Sequence, residues 1–164
     1  MTSFELAFER LMKSEGGYSD NPNDPGKKTM YGITEAVARR NGYQGEMKSL
    51  TKEKAKEIAK KVYWDPLKCD QMPFSVAFQV FDGSYNSGPD QSARWLQRAL
   101  GVADDGKIGP ITLNKLSNSN PAVICALYIA ARGKFQTKLS TWSTFGKGWA
   151  GRNYDNLEHL ASDL

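Results

Sequence analysis

The polar stretch at residues 15–34 holds the side chains of this chain that are suited to acid–base chemistry. It reads EGGYSDNPNDPGKKTMYGIT and contains two carboxylates, Glu15 and Asp24, followed by a hydroxyl at Thr29. A carboxylic acid can protonate a leaving group while a carboxylate and a hydroxyl hold a water molecule for attack. The stretch therefore predicts a site that breaks a bond by supplying a proton and a water.

The residues before Glu15 place its carboxylate at the end of a buried helix face. Phe4, Phe8 and Leu11 are spaced by four and three residues, and the next position on that face is Glu15. The pair Gly16-Gly17 then predicts the end of the helix. Because an apolar edge and the negative end of a helix both disfavour an ionised carboxylate, we expect Glu15 to retain its proton and act as a general acid. The alternative is a helix-terminal glutamate that points into solvent.

The segment after Glu15 has the composition of a β hairpin. Asp24 lies in Asn-Asp-Pro-Gly, a strong turn sequence, and taken alone it is most simply a turn former. Residues 29–33 are rich in β-branched and aromatic side chains, which favours a short strand. A hairpin across the Pro-Gly turn would fold Asp24 and Thr29 back toward Glu15.

The spacing of these residues resembles a family signature. Glu15 is followed after eight residues by Asp24, after four more by Thr29, and then by Tyr-Gly-Ile-Thr starting at Tyr31. This pattern resembles glycoside hydrolase family 108, phage endolysins of the N-acetylmuramidase type, and it is similar to that of T-even phage lysozymes. The resemblance implies Glu15 as the general acid, Asp24 as the carboxylate that holds or activates water, and Thr29 as the residue that positions this water. We take Tyr31 as a substrate-binding residue, and Lys27-Lys28 departs from the family pattern, in which a second glycine and often an acid are expected.

The expected fold is mainly α, an α+β lysozyme-like arrangement of about seven or eight helices with one small β hairpin near residues 17–33. Residues 74–81 are apolar on nearly all sides, which predicts a buried central helix. We expect residues 1–164 to form one lysozyme-like domain. Its catalytic lobe covers about residues 1–88, a helical peptidoglycan-binding-like lobe covers about residues 89–164, and a cleft lies between them.

Polar and aromatic residues later in the chain are candidates for binding a sugar. Tyr85 and Asn86 lie at the polar end of the predicted central helix, where Tyr can stack on a pyranose face and Asn can bond to hydroxyl or N-acetyl groups. The alternative is that Asn86 only turns the chain. Trp149 and Arg152 belong to a Gly-Trp-x-x-Arg sequence similar to the family's C-terminal motif. They either line the far end of the cleft or close the fold.

Residues 96–113 contain Leu-Gln-Arg-Ala-Leu-Gly and Asp-Gly-x-Ile-Gly-Pro-x-Thr, which look like the motif of peptidoglycan-binding modules. These residues either form a binding surface or serve as scaffold, since Asp-Gly favours a turn and Gly-Pro a helix start. We expect a long helix from residue 121 to about residue 139 and a short last helix at residues 153–162. The buried face of the long helix is predicted to contain Val123, Ile124, Leu127, Tyr128, Ala131 and Phe135.

The composition limits the other classes of function. One His and two Cys without metal-ligand spacing argue against a metal site, and we expect no cofactor. The net charge is only +4, and the sequence lacks the basic stripe with interleaved aromatic residues that is typical of nucleic-acid binding. We expect a monomer whose two thiols, Cys69 and Cys125, are reduced. The sequence predicts neither a membrane span nor a signal peptide, so the resemblance implies release from the host cytoplasm through a pore made by another phage protein.

The predicted reaction is hydrolysis of the β-1,4 bond between N-acetylmuramic acid and N-acetylglucosamine in bacterial peptidoglycan. The T-even resemblance favours inversion at the anomeric carbon, although the stereochemistry depends on the separation of the two carboxyl groups. One alternative is a lytic transglycosylase, which uses Glu15 alone and no water. The other is a peptidoglycan-binding module without catalysis.

Overall fold

The computed structural model describes residues 1–23 and 28–164, which form two compact units, Met1–Asp65 and Pro66–Leu164. The described residues contain eight α-helices and one small antiparallel sheet, which confirms the mainly α prediction with a minor β element. Asp24 lies outside the described residues. The prediction of a single domain with a lobe boundary near residue 88 stays a prediction.

The helices and strands follow in chain order. The three strands are β1 (Ser19–Asp20), β2 (Lys28–Met30) and β3 (Ile33–Thr34). The α-helices are α1 (Ser3–Met12), α2 (Glu35–Arg40), α3 (Lys52–Ala59), α4 (Phe74–Ser87), α5 (Pro89–Leu100), α6 (Pro110–Ser117), α7 (Pro121–Gln136) and α8 (Trp142–Asp163). Short helical turns occur at Met47–Ser49, Lys60–Trp64, Asp65–Leu67 and Cys69–Gln71.

Helix α1 begins with a capping box, in which the side chains of Thr2 and Glu5 each accept a hydrogen bond from the other residue's backbone N–H. Phe4, Phe8 and Leu11 are buried, as their spacing predicts. The helix ends at Met12 rather than at the glycine pair, so the predicted end was wrong. Lys13 and Ser14 form a turn, and this turn carries the chain from the helix into the following segment.

The small sheet has the order β1-β2-β3, with antiparallel neighbours. The predicted hairpin is therefore one half of a three-stranded sheet. Met30 is paired with Ile33, so Tyr31 and Gly32 form a two-residue turn instead of continuing the predicted strand. Their φ angles of 52° and 76° are those of the tight primed turns that match the twist of a hairpin.

The second unit is built on α4, whose residues 75–85 are all buried. It packs against α5, α7 and α8, which confirms the predicted central helix. A helix that is apolar on nearly all sides has no face suited to water, so it forms the core of its unit. Cys69 and Cys125 are free and buried, as expected for structural thiols, and burial raises the pKa of Cys125 to about 11.

Two helices of the second unit differ from their predictions. In α7 the buried residues include Ile124, Tyr128 and Arg132, whereas Val123 is 52% exposed and Leu127 is 47% exposed, so the predicted buried face was partly wrong. The C-terminal helix starts at Trp142, eleven residues before the predicted start. No helix in the described part of the chain is long and apolar enough to cross a membrane.

Candidate active site

Glu15 is attached to the end of α1 by its own backbone. Its N–H donates to the carbonyl oxygen of Leu11 at 3.2 Å, and the N–H and hydroxyl of Ser14 donate to the same oxygen at 3.0 and 2.8 Å. Leu11 is buried, so these bonds fix the segment to the core of the first unit. Glu15 itself is partly exposed. A carboxyl group with a fixed backbone and access to solvent can reach a bound substrate.

Thr29 lies in the middle strand of the sheet. Its Cα partners are Ser19 on β1 and Thr34 on β3, so three hydroxyl residues stand in a row across one face. The buried residue Ile33 lies on the opposite face, because neighbouring residues of a strand alternate in direction. Since Ser19 follows Glu15 by four residues, this pairing joins the strand of Thr29 to the segment that begins at Glu15.

Tyr31 occupies a backbone conformation that side chains other than glycine seldom adopt. Its φ of 52° lies in the left-handed region, which costs a residue with a Cβ about 1 kcal/mol or more. Asn or Asp is the usual first residue of such a turn. A bulky aromatic residue in this position is a strained feature of the kind that clusters at binding sites.

A pocket of about 300 Å³ adjoins the sheet in the first unit. It is lined by Tyr18, Lys28 and Lys48, among others, and the Lys48 ammonium lies 5.0 Å from the centroid of the Tyr18 ring. Arg39, also in the lining, is paired with Glu35 at 2.8 Å and donates to two backbone carbonyls. Lys28, one of the two lysines that depart from the family pattern, directly precedes Thr29 in β2 and adds positive charge to this pocket.

In the second unit, contacts between α4 and α8 define an antiparallel register. The Phe78 ring packs against His159, and Gln79 donates to the carbonyl oxygen of Asn156. Asp82, one turn further along α4, pairs with Arg152 at 2.8 Å. Residue numbers thus rise on one helix as they fall on the other.

The next step of this register brings two predicted binding residues to one place. One turn beyond Asp82 is Tyr85, and one turn before Arg152 is Trp149, so both lie at the same end of the helix pair. Tyr85 is buried with its ring edge against Phe81, whereas Trp149 is partly exposed. The second unit therefore gathers Tyr85 and Trp149, with the exposed Asn86 directly after Tyr85.

An ion cluster that the sequence did not predict holds this end of α4. Asp82 is 2% exposed and binds Arg132 at 2.5 Å, Arg152 at 2.8 Å and the Asn156 amide at 2.8 Å. Burial would raise the pKa of Asp82, but the two guanidinium groups outweigh burial and hold this pKa well below its usual range. The sequence contained a signal for this cluster, namely an aspartate within an apolar helix. A carboxylate that is buried in this way requires cationic or hydrogen-bonding partners.

Residues of the Asp-Gly…Ile-Gly-Pro motif surround the buried side chain of Gln97. The Gln97 amide donates to the Asp105 carboxylate at 2.8 Å and to the Lys107 carbonyl at 3.0 Å, and its oxygen accepts from the N–H of Gly106 at 2.8 Å. Gly106 has a φ of 77°, which a residue with a side chain seldom adopts. Asp105, Gly106 and Lys107 of the motif thus fix a loop to α5.

Two family models match the sequence. Glycosyl hydrolase 108 matches residues 8–88, and a predicted peptidoglycan domain matches residues 91–154. Among solved structures, SagA of Brucella abortus is 34% identical over 97% of this chain and 94% of that chain, with a TM-score of 0.90. The chain belongs to glycosyl hydrolase family 108. A search of curated proteins finds no match.

Membership of family 108 makes the chain a glycoside hydrolase that acts on peptidoglycan. The alternative of a wall-binding module without enzymatic activity is thereby removed. The match to the glycosyl hydrolase model includes Glu15, Thr29, Tyr31 and Tyr85, whereas Trp149 lies in the match to the peptidoglycan domain.

Proposed function

We propose that this family 108 hydrolase is an N-acetylmuramidase that cleaves the β-1,4 bond between N-acetylmuramic acid and N-acetylglucosamine, with Glu15 as the general acid. The observation that carries the proposal is the backbone hydrogen bond to the buried residue Leu11 from Glu15, which lies four residues before the strand residue Ser19 that pairs with Thr29. A general acid must keep a fixed position relative to the leaving oxygen, and a backbone bonded to the core provides this.

In the proposed reaction, Glu15 donates its proton to the glycosidic oxygen as the bond to the anomeric carbon breaks. A water molecule attacks this carbon, which has oxocarbenium character in the transition state. Asp24 accepts the proton of the water, and the Thr29 hydroxyl orients the water for attack. The products are a reducing muramic acid end and a free hydroxyl on glucosamine. Inversion is the stereochemistry that the T-even resemblance implies.

The residues that we propose to bind the substrate are Tyr31 in the first unit and Tyr85, Asn86 and Trp149 in the second. Tyr31 presents an aromatic ring from the strained turn of the sheet. Tyr85, Asn86 and Trp149 supply aromatic and amide groups at one end of the α4 and α8 pair, and such groups recognise sugar faces and N-acetyl groups. Alanine at each position is expected to raise KM on peptidoglycan more than it lowers kcat.

The fragments released from peptidoglycan distinguish this reaction from that of a lytic transglycosylase. Hydrolysis adds one water to each cleaved bond and leaves reducing muramic acid ends, whereas a transglycosylase leaves anhydro ends. Mass analysis of fragments from the wild-type protein is expected to show only the hydrated ends, and Asp24→Asn is expected to lose most of its rate. Anhydro ends with full activity of Asp24→Asn would overturn the proposal.

We also propose that the biological role is that of a phage endolysin, released from the host cytoplasm through a pore. Support comes from the similarity of the Glu15, Asp24 and Thr29 spacing to that of phage lysozymes. The protein produced inside bacteria is expected to lyse them only when a pore-forming lysis protein is produced as well. Lysis at the same rate without the pore protein would contradict this role.

A further inference from the structure

The second unit has a surface pocket of about 340 Å³ between α5 and α7, and none of its lining residues has been assigned a role above. Its apolar floor contains Leu127, Ala131 and Phe135, which recur every four residues along α7. These residues belong to the stripe that the sequence predicts to be buried, and the structure leaves them bordering an open pocket. An apolar stripe that the fold does not fully cover is available to a ligand.

Buried aromatic side chains support the floor of this pocket. The Phe135 ring lies 5.5 Å from the Trp95 ring, and Trp95 in turn packs edge-on against Tyr128 at 5.9 Å. Trp95 is completely buried, and the Tyr128 hydroxyl is hydrogen-bonded to Ser92 at 2.7 Å. A preformed floor binds a ligand without a cost for ordering its own side chains.

Three cations surround the apolar floor. Arg98 comes from α5, Lys134 from α7, and Lys138 follows the end of α7. Arg98 is paired with Asp104 at 2.6 Å, whereas the two lysines have no carboxylate partner among the residues that the structure describes. The pocket therefore selects a ligand that has both carboxylates and small aliphatic groups.

We infer that this pocket binds the peptide stem of peptidoglycan through the stem's free carboxylates and alanine methyl groups. The inference rests on the proposed action on peptidoglycan. A stem is a short peptide that has methyl side chains beside free carboxylates, which matches an alanine- and leucine-lined floor with lysines at its edge. All the residues of the pocket lie within residues 91–154, the range of the predicted peptidoglycan domain.

The test is binding of a muramyl tetrapeptide, which contains no bond between two sugars and is therefore not consumed by the full-length enzyme. Calorimetry gives its Kd, and NMR of the methyl groups of Leu127, Ala130 and Ala131 locates it. We expect these methyl signals to shift on addition of the peptide. The double variant Lys134→Glu/Lys138→Glu should raise Kd by about tenfold or more, since two charge contacts turn repulsive.

Two controls make the result specific. The double variant Lys115→Glu/Lys147→Glu makes the same change in net charge at two exposed lysines that lie outside the pocket. It should alter Kd by less than about twofold. Ala130→Leu fills the pocket without a charge change and should weaken binding by about tenfold. Should either pocket variant unfold, the methyl shifts of the wild-type protein with the tetrapeptide and with its amidated form decide the question.

Three outcomes would overturn the inference. The first is an equal loss of tetrapeptide affinity in the two double lysine variants, and the second is binding of the carboxyl-amidated tetrapeptide as tightly as the free acid. The third is a set of methyl shifts confined to other parts of the chain. Hydrolysis of peptide-free glycan chains by the same preparations tests the proposed reaction separately. Intact hydrolysis with no stem binding would remove the inference alone, whereas stem binding without hydrolysis would remove the muramidase proposal alone.

Discussion

The backbone N–H of Glu15 donates a hydrogen bond to the carbonyl oxygen of Leu11 at 3.2 Å, although the helix that contains Leu11 ends at Met12. The bond extends the helical pattern of hydrogen bonding to a residue outside the helix. Glu15 thereby gains the fixed backbone of a helix end while its side chain stays partly exposed. This combination suits a group that must stay in place and also reach a substrate.

Thr29→Val is expected to lower kcat by about 10²-fold with little change in KM or in the melting temperature, because it removes the hydroxyl proposed to orient the water but keeps the side-chain shape. Steady-state release of reducing ends and a thermal melt measure these quantities. Thr34→Val is the control, since Thr34 lies directly across the sheet and caps α2. It should keep kcat and lose about 1 kcal/mol of stability. An unchanged kcat in Thr29→Val would show that Thr29 has only a structural role in the strand.

Tyr31→Asn is expected to raise KM while the melting temperature stays equal or rises. Asn tolerates the left-handed conformation found at this turn better than Tyr does, so the backbone strain falls as the aromatic contact to the sugar is lost. Kinetics on soluble peptidoglycan and a thermal melt separate the two effects. A lower melting temperature with an unchanged KM would show that the ring only supports the fold.

Asp82→Asn is expected to cost about 3–5 kcal/mol of stability at pH 7, because Arg132 is completely buried and would lose its charged partner. Since the folded pKa of Asp82 lies below its ordinary value, the carboxylate stabilises the protein above about pH 4 and loses this effect as the pH falls further. Urea unfolding at pH 7 and pH 3 should therefore show a smaller acid-induced loss in Asp82→Asn than in the wild type.

The control for this prediction is Asp155→Asn on the exposed surface of α8. It should change the stability at pH 7 by less than about 0.5 kcal/mol. If Asp82→Asn and Asp155→Asn had equal stabilities at pH 7, the buried cluster would not hold the end of α4.

Gly83→Ala is expected to destabilise the protein by about 1–3 kcal/mol through overpacking. A Cβ at this position of α4 would lie 1.9 Å from the Tyr128 hydroxyl oxygen, which is held by Ser92. Gly148→Ala in α8 is the matched control, because its Cβ would meet no atom within 4 Å, and it should leave stability equal or raise it by up to about 1 kcal/mol. Calorimetric melts of both variants measure the difference, and equal melting temperatures would contradict the close packing of α4 on α7.

Local signals in the sequence predicted several elements of the fold correctly. The predicted long helix begins after Asn120, whose side chain accepts a backbone hydrogen bond at the helix start, as its residue type indicates. The apolar composition of α4 predicted its burial. The turn-rich composition after Glu15 predicted the hairpin in which Thr29 pairs with Ser19.

The errors come from long-range contacts that no local pattern records. Arg132 turns inward to meet Asp82, and Gln136 turns inward to meet Asn153, so α7 buries a face that contains polar residues. The apolar stripe beside it is displaced toward the surface. The first eleven residues of α8 were missed because their glycines disfavour a helix, yet tertiary packing overrides this preference.

The most direct test of the account is the release of new reducing ends from peptidoglycan by Glu15→Gln compared with the wild type and with Glu9→Gln. Glu9 lies on α1 in the same unit and pairs with Lys52 at 2.7 Å on the surface, so Glu9→Gln makes the same chemical change away from the proposed site. The account predicts a loss of about 10²-fold or more for Glu15→Gln at an unchanged melting temperature, with near-complete activity for Glu9→Gln. Retention of more than about a tenth of the wild-type rate by Glu15→Gln would contradict the role of Glu15 as the general acid.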